Sequence, residues 1–397
     1  MDSWCDGELT IDPSAALDVA TKPLPARWAV YLMRDENGRP VQLLSVKNVR
    51  ASVRRRLGDN PVEGPSRKID YRSVVRQICW KRVDSAFESD LVYFEVARAA
   101  FPDTFRNVMP LRPPAFIHVN PQAPFPRWTR VTDPFIGNGI VFGPLAELQH
   151  ASKLIETLED LFDLCRYYNV LSQSPGGSPC AYKDMGKCPA PCDGSISMQQ
   201  YRRMIDWSVA TLLDPRREIE EQTERMREAA GELRFETAAK IKLFVEGLSA
   251  LNKGHWRHVR PVADLRFLSV QPGPAKGKVK LFAVRPDGVR AAACLVSEPR
   301  ELMLRCPDVA ALAEATAPRP LGEDDADRVS LIARHLFWPK SGGVFLHGDE
   351  LTDRALVAAY KQIAQQKPAE AADEDDEGVV AELAPGVSES SPAGGAV

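Results

Sequence analysis

The chain of 397 residues has no hydrophobic run that approaches the roughly 20 apolar residues of a membrane-spanning helix. Its first residues, MDSWCDGELTIDPSAALD, are acidic and lack the apolar core that a secretion signal requires. The first absence excludes a membrane-spanning helix, and the second favours a cytoplasmic protein. Because the cytoplasm is reducing, cysteines that cluster in such a protein are more often metal ligands than disulfides.

Motifs of several enzyme classes are also missing. The chain has no glycine-rich phosphate loop, no Gly-x-Ser-x-Gly nucleophile elbow and no His-Glu-x-x-His zinc motif. The sequence therefore does not carry the signatures of a P-loop nucleotide hydrolase, a serine hydrolase of the elbow type or a zinc peptidase.

Negative charge is concentrated at one end of the chain. The net charge is −3, but the segment from Pro368 to the C-terminus contains eight acidic residues and no lysine or arginine. Without these eight acids the remaining chain has a net charge of +5, so its body is mildly basic. An acidic tail of this kind is typically solvated and disordered. A basic body is compatible with nucleic-acid binding but does not establish it.

Four cysteines lie close together in the sequence, at Cys165, Cys180, Cys188 and Cys192. Seven residues separate Cys180 from Cys188, and three separate Cys188 from Cys192. Thiolates at such short spacings are suited to binding an iron–sulfur cluster or zinc, and disulfides or buried free thiols are the alternatives. Prolines between the last two cysteines restrict the backbone, so these two sulfurs are expected to have little freedom.

A periodic region follows the cysteines. From Ile219 to Leu233, apolar and small residues recur at alternating spacings of four and three, which places them on one face of a helix. A second helix is expected over 238–248, after a break around 234–236. Two amphipathic helices that fold back on each other need a further apolar surface, from the rest of the chain or from a partner. A purely intramolecular hairpin is the alternative.

Strand-like and helical patterns both occur along the chain, which predicts an α+β fold with several domains. The proline-rich stretch 110–128 favours extended edges and turns over a core strand. A turn is expected at Asp35–Gly38, and another at Asp287–Gly288. Strands are expected at 28–32, 40–46, 265–270, 280–296 and 344–346, and helices at 47–57, 85–101, 145–168, 197–213, 308–315, 324–336 and 351–363.

In this order of segments the chain resembles the N-terminal half of the UvrC family, the nuclease subunit of bacterial nucleotide excision repair. Residues 29–53 resemble the family's GIY-YIG nuclease domain. Phe142-Gly143-Pro144 and the spacing of Cys180, Cys188 and Cys192 resemble its cluster region. Residues 226–240 resemble the UVR helical hairpin, which docks onto UvrB.

The resemblance implies a catalytic tyrosine at Tyr31, but the other catalytic positions have changed. The second motif reads Gln42-Leu43-Leu44 and has lost its tyrosine and its glycine. The family's arginine position falls on Ser52, and its metal-binding glutamate falls on or near Tyr93. Because a cation and a metal ion stabilise the charge that develops during phosphodiester cleavage, this pattern implies a degenerate nuclease site. Possible substitutes are Arg54, Glu88 and Glu95.

The resemblance also implies cofactors and partners. It favours a 4Fe–4S cluster, with zinc as the alternative, and Mg²⁺ only if the nuclease is active. DNA and a UvrB-like protein are the expected partners, and a membrane is not. The implied metal ligands are Cys165, Cys180, Cys188 and Cys192, of which Cys165 lies two residues before the family's usual position. DNA binding is expected at Lys47, Arg50, Arg54, Arg55 and Arg56, unless these side chains form only a solvated helix face, and partner binding at Met226, Ala230, Leu233, Phe235, Ala238 and Ala239.

The expected function is therefore a DNA-repair protein with a degenerate nuclease site. The alternatives are an active, metal-dependent GIY-YIG endonuclease that incises damaged DNA and a protein-interaction adaptor without DNA binding. The expected domains are a flexible N-terminus (1–25), a degenerate GIY-YIG-like domain (26–115), a proline-rich connector and helix (116–160), the cysteine-rich region (161–205), the helical hairpin (206–252), a C-terminal α+β domain (253–365) and an acidic disordered tail (366–397).

Overall fold

The computed structural model describes residues 4–58, 70–109, 111–285, 288–296, 312, 323–337, 342–366 and 379–383. Within these ranges the protein is α+β, with three antiparallel sheets packed against helices. None of the helices in these ranges is long and apolar enough to cross a membrane. The strands are β1 (Gly7–Thr10), β2 (Ala29–Arg34), β3 (Pro40–Val46), β4 (Gln77–Arg82), β5 (Ala115–Val119), β6 (Trp128–Val131), β7 (Ile140–Leu145), β8 (Arg260–Pro261), β9 (Phe267–Pro272), β10 (Val279–Arg285), β11 (Gly288–Val296), β12 (Val344–His347) and β13 (Val379–Leu383). The helices are α1 (Leu17–Ala20), α2 (Val49–Leu57), α3 (Tyr71–Val74), α4 (Ala86–Ala100), α5 (Phe105–Val108), α6 (Leu148–Leu161), α7 (Tyr168–Leu171), α8 (Ala181–Asp184), α9 (Met198–Leu213), α10 (Pro215–Gly231), α11 (Phe235–Ala250), α12 (Glu323–Phe337) and α13 (Asp353–Ala364).

The first sheet has the strand order β1-β4-β2-β3-β13. Strands β2 and β3 form the predicted hairpin, in which the Asp35 carboxylate accepts hydrogen bonds from the backbone amides of Asn37 and Arg39. Gly38 has a φ of +76°, a left-handed conformation that glycine adopts without a steric penalty. The hairpin sets the register of the sheet, in which β2 pairs with β3 on one side and β4 on the other.

Helices cover both faces of this sheet. Tyr31 and Met33 belong to the core on the side of α2, whereas Val30 and Leu32 belong to the core on the side of α4. This division follows from the alternation of side chains along a strand. The N-terminal segment closes over the α2 side, where Leu24 is completely buried. The first sheet contains β2 and β3, which lie in the range that resembles a nuclease domain, and it is called the nuclease-like sheet below. Both of its faces are parts of a hydrophobic core.

The second sheet has the order β6-β5-β7-β8 and packs against α6 and α9. Strand β5 is an inner strand, although the proline-rich stretch 110–128 predicted edges and turns; its prolines lie on either side of β5 and none lies within it. Helix α6 ends at Leu161, before the predicted end at Tyr168. Asp163 then has a φ of +49°, which does not continue a right-handed helix. Cys165 therefore lies in a loop after α6.

The third sheet has the order β11-β10-β9-β12 and packs against α13. Arg285 of β10 pairs with Gly288 of β11, which confirms the predicted hairpin. On the other side of the sheet, Phe282 and Phe345 contact Phe87 of α4 edge to face, with ring centroids 5.5 and 5.3 Å apart. The nuclease-like and C-terminal parts of the chain thus share one hydrophobic core.

Two terminal segments differ from their predictions. The segment predicted to be irregular, 1–25, contains β1, which pairs with β4, and the short helix α1. The predicted acidic tail, 366–397, contains β13, which pairs with β3. Both strands pair with distant partners whose open edges offer backbone donors and acceptors, and local sequence patterns do not report such pairing. Most of the tail and, apart from Leu312, the predicted helix at 308–315 lie outside the described residues.

Candidate functional site

Three of the four clustered cysteines lie next to one another, and two of them, Cys165 and Cys188, belong to the core around the second sheet. Cys165, Cys188 and Cys192 are all buried. The Cys165 thiol donates to the carbonyl of Tyr167 at 3.6 Å, and the sulfurs of Cys165, Cys188 and Cys192 lie close enough to interact electrostatically. The backbone amide of Cys165 donates to the Tyr201 hydroxyl at 3.1 Å, so α9 positions the first cysteine of the group.

The contact between sulfurs makes the three thiols unequal. Interaction with the neighbouring Cys165 thiol lowers the pKa of Cys188, with help from a backbone hydrogen bond at Ala190 and the nearby Arg166 guanidinium. The same contact and burial raise the pKa of Cys165. Burial also raises the pKa of Cys192. Cys188 is therefore the most acidic thiol of the three, and the thiolate is the form that binds a metal.

Hydrogen bonds between distant parts of the loop hold the cysteine segment together. The Ser174 hydroxyl donates to the carbonyl of Pro191 at 2.6 Å, and the Gly177 amide donates to the carbonyl of Cys192 at 2.8 Å. The Lys183 ammonium pairs with the Asp193 carboxylate, directly after Cys192. These contacts fix the backbone of the last cysteine without using its sulfur.

Cys180 stands apart from the other three. It is half-buried at the N-terminus of α8, and among the described residues no hydrogen bond or ion pair joins its thiol to the other sulfurs. The described ranges contain no group of three or more His, Cys, Asp or Glu side chains arranged to hold a metal ion. Soft thiols nevertheless match the chemistry of an iron–sulfur cluster, whose several iron atoms space their thiolate ligands more widely than a single ion does. The chemistry of the donor set therefore fits a cluster.

Tyr31 is completely buried on the α2 side of the nuclease-like sheet. Its hydroxyl lies 2.9 Å from the hydroxyl of Ser52, in the first turns of α2. Ser52 occupies the position at which the resemblance implies an arginine. A DNA phosphate can reach this tyrosine only if the elements that cover it move aside.

The arginines of α2 contact the N-terminal segment. Arg50 Nε donates to the carbonyl of Leu24 at 2.9 Å, and Arg54 Nε donates to the hydroxyl of Thr21 at 3.0 Å. These side chains therefore tie the N-terminal segment to α2, and their guanidinium groups are partly occupied by those bonds. Of the other basic residues predicted to bind DNA, Arg55 and Arg56 are half-buried and Lys47 is exposed.

The two candidate glutamates of α4 pair with basic residues of the C-terminal region. Both carboxylate oxygens of Glu88 accept hydrogen bonds from Lys280 Nζ, at 2.8 and 2.9 Å. Glu95 accepts one from Arg328 at 3.1 Å. Burial raises the pKa of Glu88, and the Lys280 ammonium opposes this shift. Because α4 and Tyr31 lie on opposite sides of the sheet, the structure does not bring Tyr31 together with either glutamate.

Helices α10 and α11 pack along each other as a hairpin with a buried base and an exposed tip. Leu248 is completely buried in the core at the base, whereas Leu233 and Phe235 at the tip are 73% and 64% exposed. Leu243 is also exposed and lies eight residues after Phe235, on the same face of α11. Helical spacing from Phe235 could have identified Leu243 in the sequence. Of the other predicted partner-binding residues, Ala230 and Ala239 are exposed, and Met226 and Ala238 are half-buried.

Comparisons with known proteins match the region that contains Cys165, Cys180, Cys188 and Cys192. Residues 115–210 match the family model of the UvrC/Cho excinuclease, middle domain. The chain is 23% identical over 283 residues to the UvrABC system protein C of Nautilia profundicola, which covers 68% of this chain and 44% of that protein. It is 27% identical over 227 residues to the UvrABC system protein C of Caldanaerobacter subterraneus subsp. tengcongensis, which covers 56% of this chain and 36% of that protein. The chain thus spans less than half the length of these curated relatives, and no solved structure matches it.

Proposed function

Since the chain is a UvrC-family protein, we propose that it acts in nucleotide excision repair as a DNA-binding and partner-binding scaffold that does not cleave DNA. The observation that carries this proposal is the coincidence of the matched middle domain, 115–210, with the buried group of Cys165, Cys188 and Cys192. The matched region contains β5, β6, β7, α6 and most of α9, whose side chains form one core with Cys165 and Cys188.

The absence of cleavage is inferred from the surroundings of the nuclease-like residues. Cleavage by the GIY-YIG chemistry that the resemblance implies uses a nucleophile, a cation and a metal ion at the same phosphate. Tyr31 is buried against Ser52, and the carboxylates of Glu88 and Glu95 are paired with basic side chains on the other side of the sheet. A metal ion bound near these carboxylates would not polarise a phosphate next to Tyr31.

The direct test is incubation of the full chain with Mg²⁺ and a lesion-bearing plasmid, alongside a binding assay with duplex DNA. The proposal expects no nicking, and it expects binding that weakens as salt rises, because phosphate contacts release counterions. Nicking that Tyr31→Phe abolishes would contradict the scaffold and favour the metal-dependent endonuclease. Failure to bind DNA at low salt would instead favour the adaptor without DNA binding, for which the intramolecular contacts of Arg50 and Arg54 are the supporting observation.

We also propose that the cysteines hold a 4Fe–4S cluster, with Cys165, Cys188 and Cys192 as three ligands and Cys180 as the fourth. The cluster would order the loop between α6 and α9. Protein purified without oxygen should be brown and contain iron and sulfide, and Cys188→Ser or Cys192→Ser should remove both. Cys5→Ser, which changes a cysteine outside the group, is the matched control. Colourless protein with one stoichiometric zinc would contradict the cluster, and unchanged iron in Cys180→Ser would exclude Cys180 as a ligand.

The proposed partner of the hairpin is a UvrB-like protein. The exposed tip and Leu243 form an apolar surface on α11 that such a protein can bury. The double substitution Phe235→Ala and Leu243→Ala should weaken capture of the partner by about tenfold or more, since anchoring apolar residues dominate such interfaces. Leu148→Ala, which removes an exposed leucine from α6, should leave capture unchanged. Equal capture by wild type and the double variant would indicate that the hairpin is purely intramolecular.

A further inference from the structure

A surface next to the cysteine group exposes several aromatic side chains. Tyr167 is 47% exposed and Tyr168 is 44% exposed, at the start of α7 directly after Cys165. Large exposed aromatic residues on a soluble protein commonly mark a binding surface when they are contiguous. We define the tyrosine–arginine strip as Arg127, Tyr168, Tyr167, Tyr182 and Arg166.

Contacts within the strip show that it is contiguous. The Arg127 guanidinium lies 4.3 Å from the centroid of the Tyr168 ring, and the Arg166 guanidinium lies 4.2 Å from that of Tyr182. The centroids of Tyr167 and Tyr182 are 6.0 Å apart, with their planes tilted by 49°. One guanidinium therefore lies at each end of the strip with three tyrosines between them, and the tilted rings of Tyr167 and Tyr182 do not stack face to face.

The two arginines of the strip have different surroundings. Arg166 is held by the Asp160 carboxylate and by the carbonyls of Leu164 and Lys187, so its plane is fixed. Arg127 makes no ion pair among the described residues, and its guanidinium lies over the Tyr168 ring at the exposed end of the strip. The Arg166 guanidinium is thus fixed over the Tyr182 ring, whereas the Arg127 guanidinium remains available to a phosphate.

The acidic residues around the strip limit what it can bind. Asp160 pairs with Arg166 and Lys187, and Asp193 pairs with Lys183. Glu159, Asp163 and Asp184 add further carboxylates next to these cations. Because the acids nearly balance the local positive charge, attraction to the phosphates of a duplex is modest. Exposed rings, in contrast, offer stacking surfaces, which only unpaired bases can use because paired bases are stacked within the helix.

We propose that the tyrosine–arginine strip binds unpaired bases of single-stranded DNA, with Tyr167 and Tyr168 as stacking surfaces and Arg127 as a phosphate contact. The inference rests on the proposed role in DNA repair and assigns strand-separated DNA, rather than intact duplex, to this surface. Its position beside Cys165 means that the order of the cysteine loop determines the order of the strip.

The test is fluorescence anisotropy with the full chain and a labelled oligothymidylate of about 20 nucleotides, compared with a duplex of equal length. Wild type should bind the single strand more tightly than the duplex. Tyr167→Ala combined with Tyr168→Ala should weaken single-strand binding by about tenfold or more, because stacking on aromatic rings dominates such binding. Replacement of both by Phe should retain binding, and Leu148→Ala, at an exposed position at the start of α6, should not change it.

The outcomes separate this inference from the proposed function. If wild type binds DNA but the double alanine variant binds the single strand equally well, the strip is not the binding surface, and the role in repair stands. If the variant loses single-strand and duplex binding to the same extent, selectivity for unpaired bases is excluded. If wild type binds neither form of DNA, both the strip and the DNA-binding role fail. Iron content and the unfolding midpoint of each variant verify that the cysteine loop is intact.

Discussion

Tyr31 and the carboxylates of α4 lie on opposite sides of one sheet because side chains alternate along β2. A shift of one residue in the register of β2 would turn the tyrosine towards α4. It would also move Val30 and Leu32, which are fully buried against α4, to the side of α2. Replacing Ser52 with arginine would place a cation near Tyr31 but would supply no carboxylate for a metal ion. No single substitution among these residues restores the arrangement that cleavage needs.

A prediction at the residue scale concerns Glu159, in the last turn of α6, and the dependence of the free energy of unfolding on pH. Burial raises its pKa from 4.5 to about 7, and the nearby Arg166 opposes the shift. The folded protein therefore holds this proton more tightly than the unfolded chain, so its free energy of unfolding falls as pH rises from 4.5 to about 7. Glu159→Gln should stabilise the protein by about 1 kcal/mol at pH 8, a value reduced for the partial exposure of the group.

Urea unfolding at pH 4.5 and pH 8 measures this effect. Wild type and Glu159→Gln should have similar free energies of unfolding at the lower pH and diverge at the higher one. Glu220→Gln, at an exposed position of α10, is the control. A constant difference between wild type and Glu159→Gln at both pH values would contradict the assignment to Glu159.

At the scale of elements, local signals predicted much of the structure. Helices α4 and α9 begin where Ser85 and Ser197 cap them, and the turn at Asp35–Gly38 joins β2 to β3. Tertiary effects explain what the sequence did not reveal. The partners of β1 and β13 are strands distant in sequence, and the ion pair of Glu88 with Lys280 joins residues 192 positions apart. Proximity of Cys188 to Cys192 followed from their spacing, but the contact of Cys165 with Cys188 depends on how α6 and α9 pack.

The N-terminal cap of α9 is a prediction at this scale. The Ser197 hydroxyl accepts a hydrogen bond from the Gln200 amide at 3.2 Å, and the Gln200 side chain accepts one from the Ser197 amide at 2.9 Å. Ser197→Ala should lower the free energy of unfolding by about 1 kcal/mol, and Ser197→Asp should recover most of it. Denaturant unfolding measures both variants. Equal stability of Ser197→Ala and wild type would show that this reciprocal cap does not stabilise the helix that positions Cys165 through Tyr201.

At the scale of the whole molecule, the nuclease-like and C-terminal parts are joined by an apolar contact with charges around it. Phe87 of α4 lies between Phe282 and Phe345, and its ring is also 5.2 Å from that of His335. The buried Asp90 carboxylate of α4 lies 3.0 Å from His335 Nε2. Helix α4, which would carry the metal-binding glutamate in an active nuclease, instead provides the surface on which the C-terminal sheet and α12 dock. The C-terminal region therefore stabilises α4 and the first sheet, on which α4 packs.

Substitutions at the Lys280 ion pair test whether the C-terminal region stabilises the protein by docking on α4. Its ammonium lies 2.6 Å from the Asp84 carboxylate and 2.8 Å from that of Glu88, and the side chains of these acids are only 20% and 8% exposed. Lys280→Met leaves two poorly solvated carboxylates without their cation, and breaking a buried pair in this way costs about 3 kcal/mol or more. Adding Glu88→Gln should recover part of the loss, because it removes one of the two charges.

Lys278→Met, at an exposed position just before β10, should change the free energy of unfolding by less than about 0.5 kcal/mol. Amide hydrogen exchange in α4 should rise in Lys280→Met and not in Lys278→Met, because only the first removes a contact between the two parts. If Lys280→Met were as stable as wild type, the Lys280 ion pair would not help to hold the C-terminal region on α4, and the contacts of Phe87, Asp90 and Glu95 would account for the attachment.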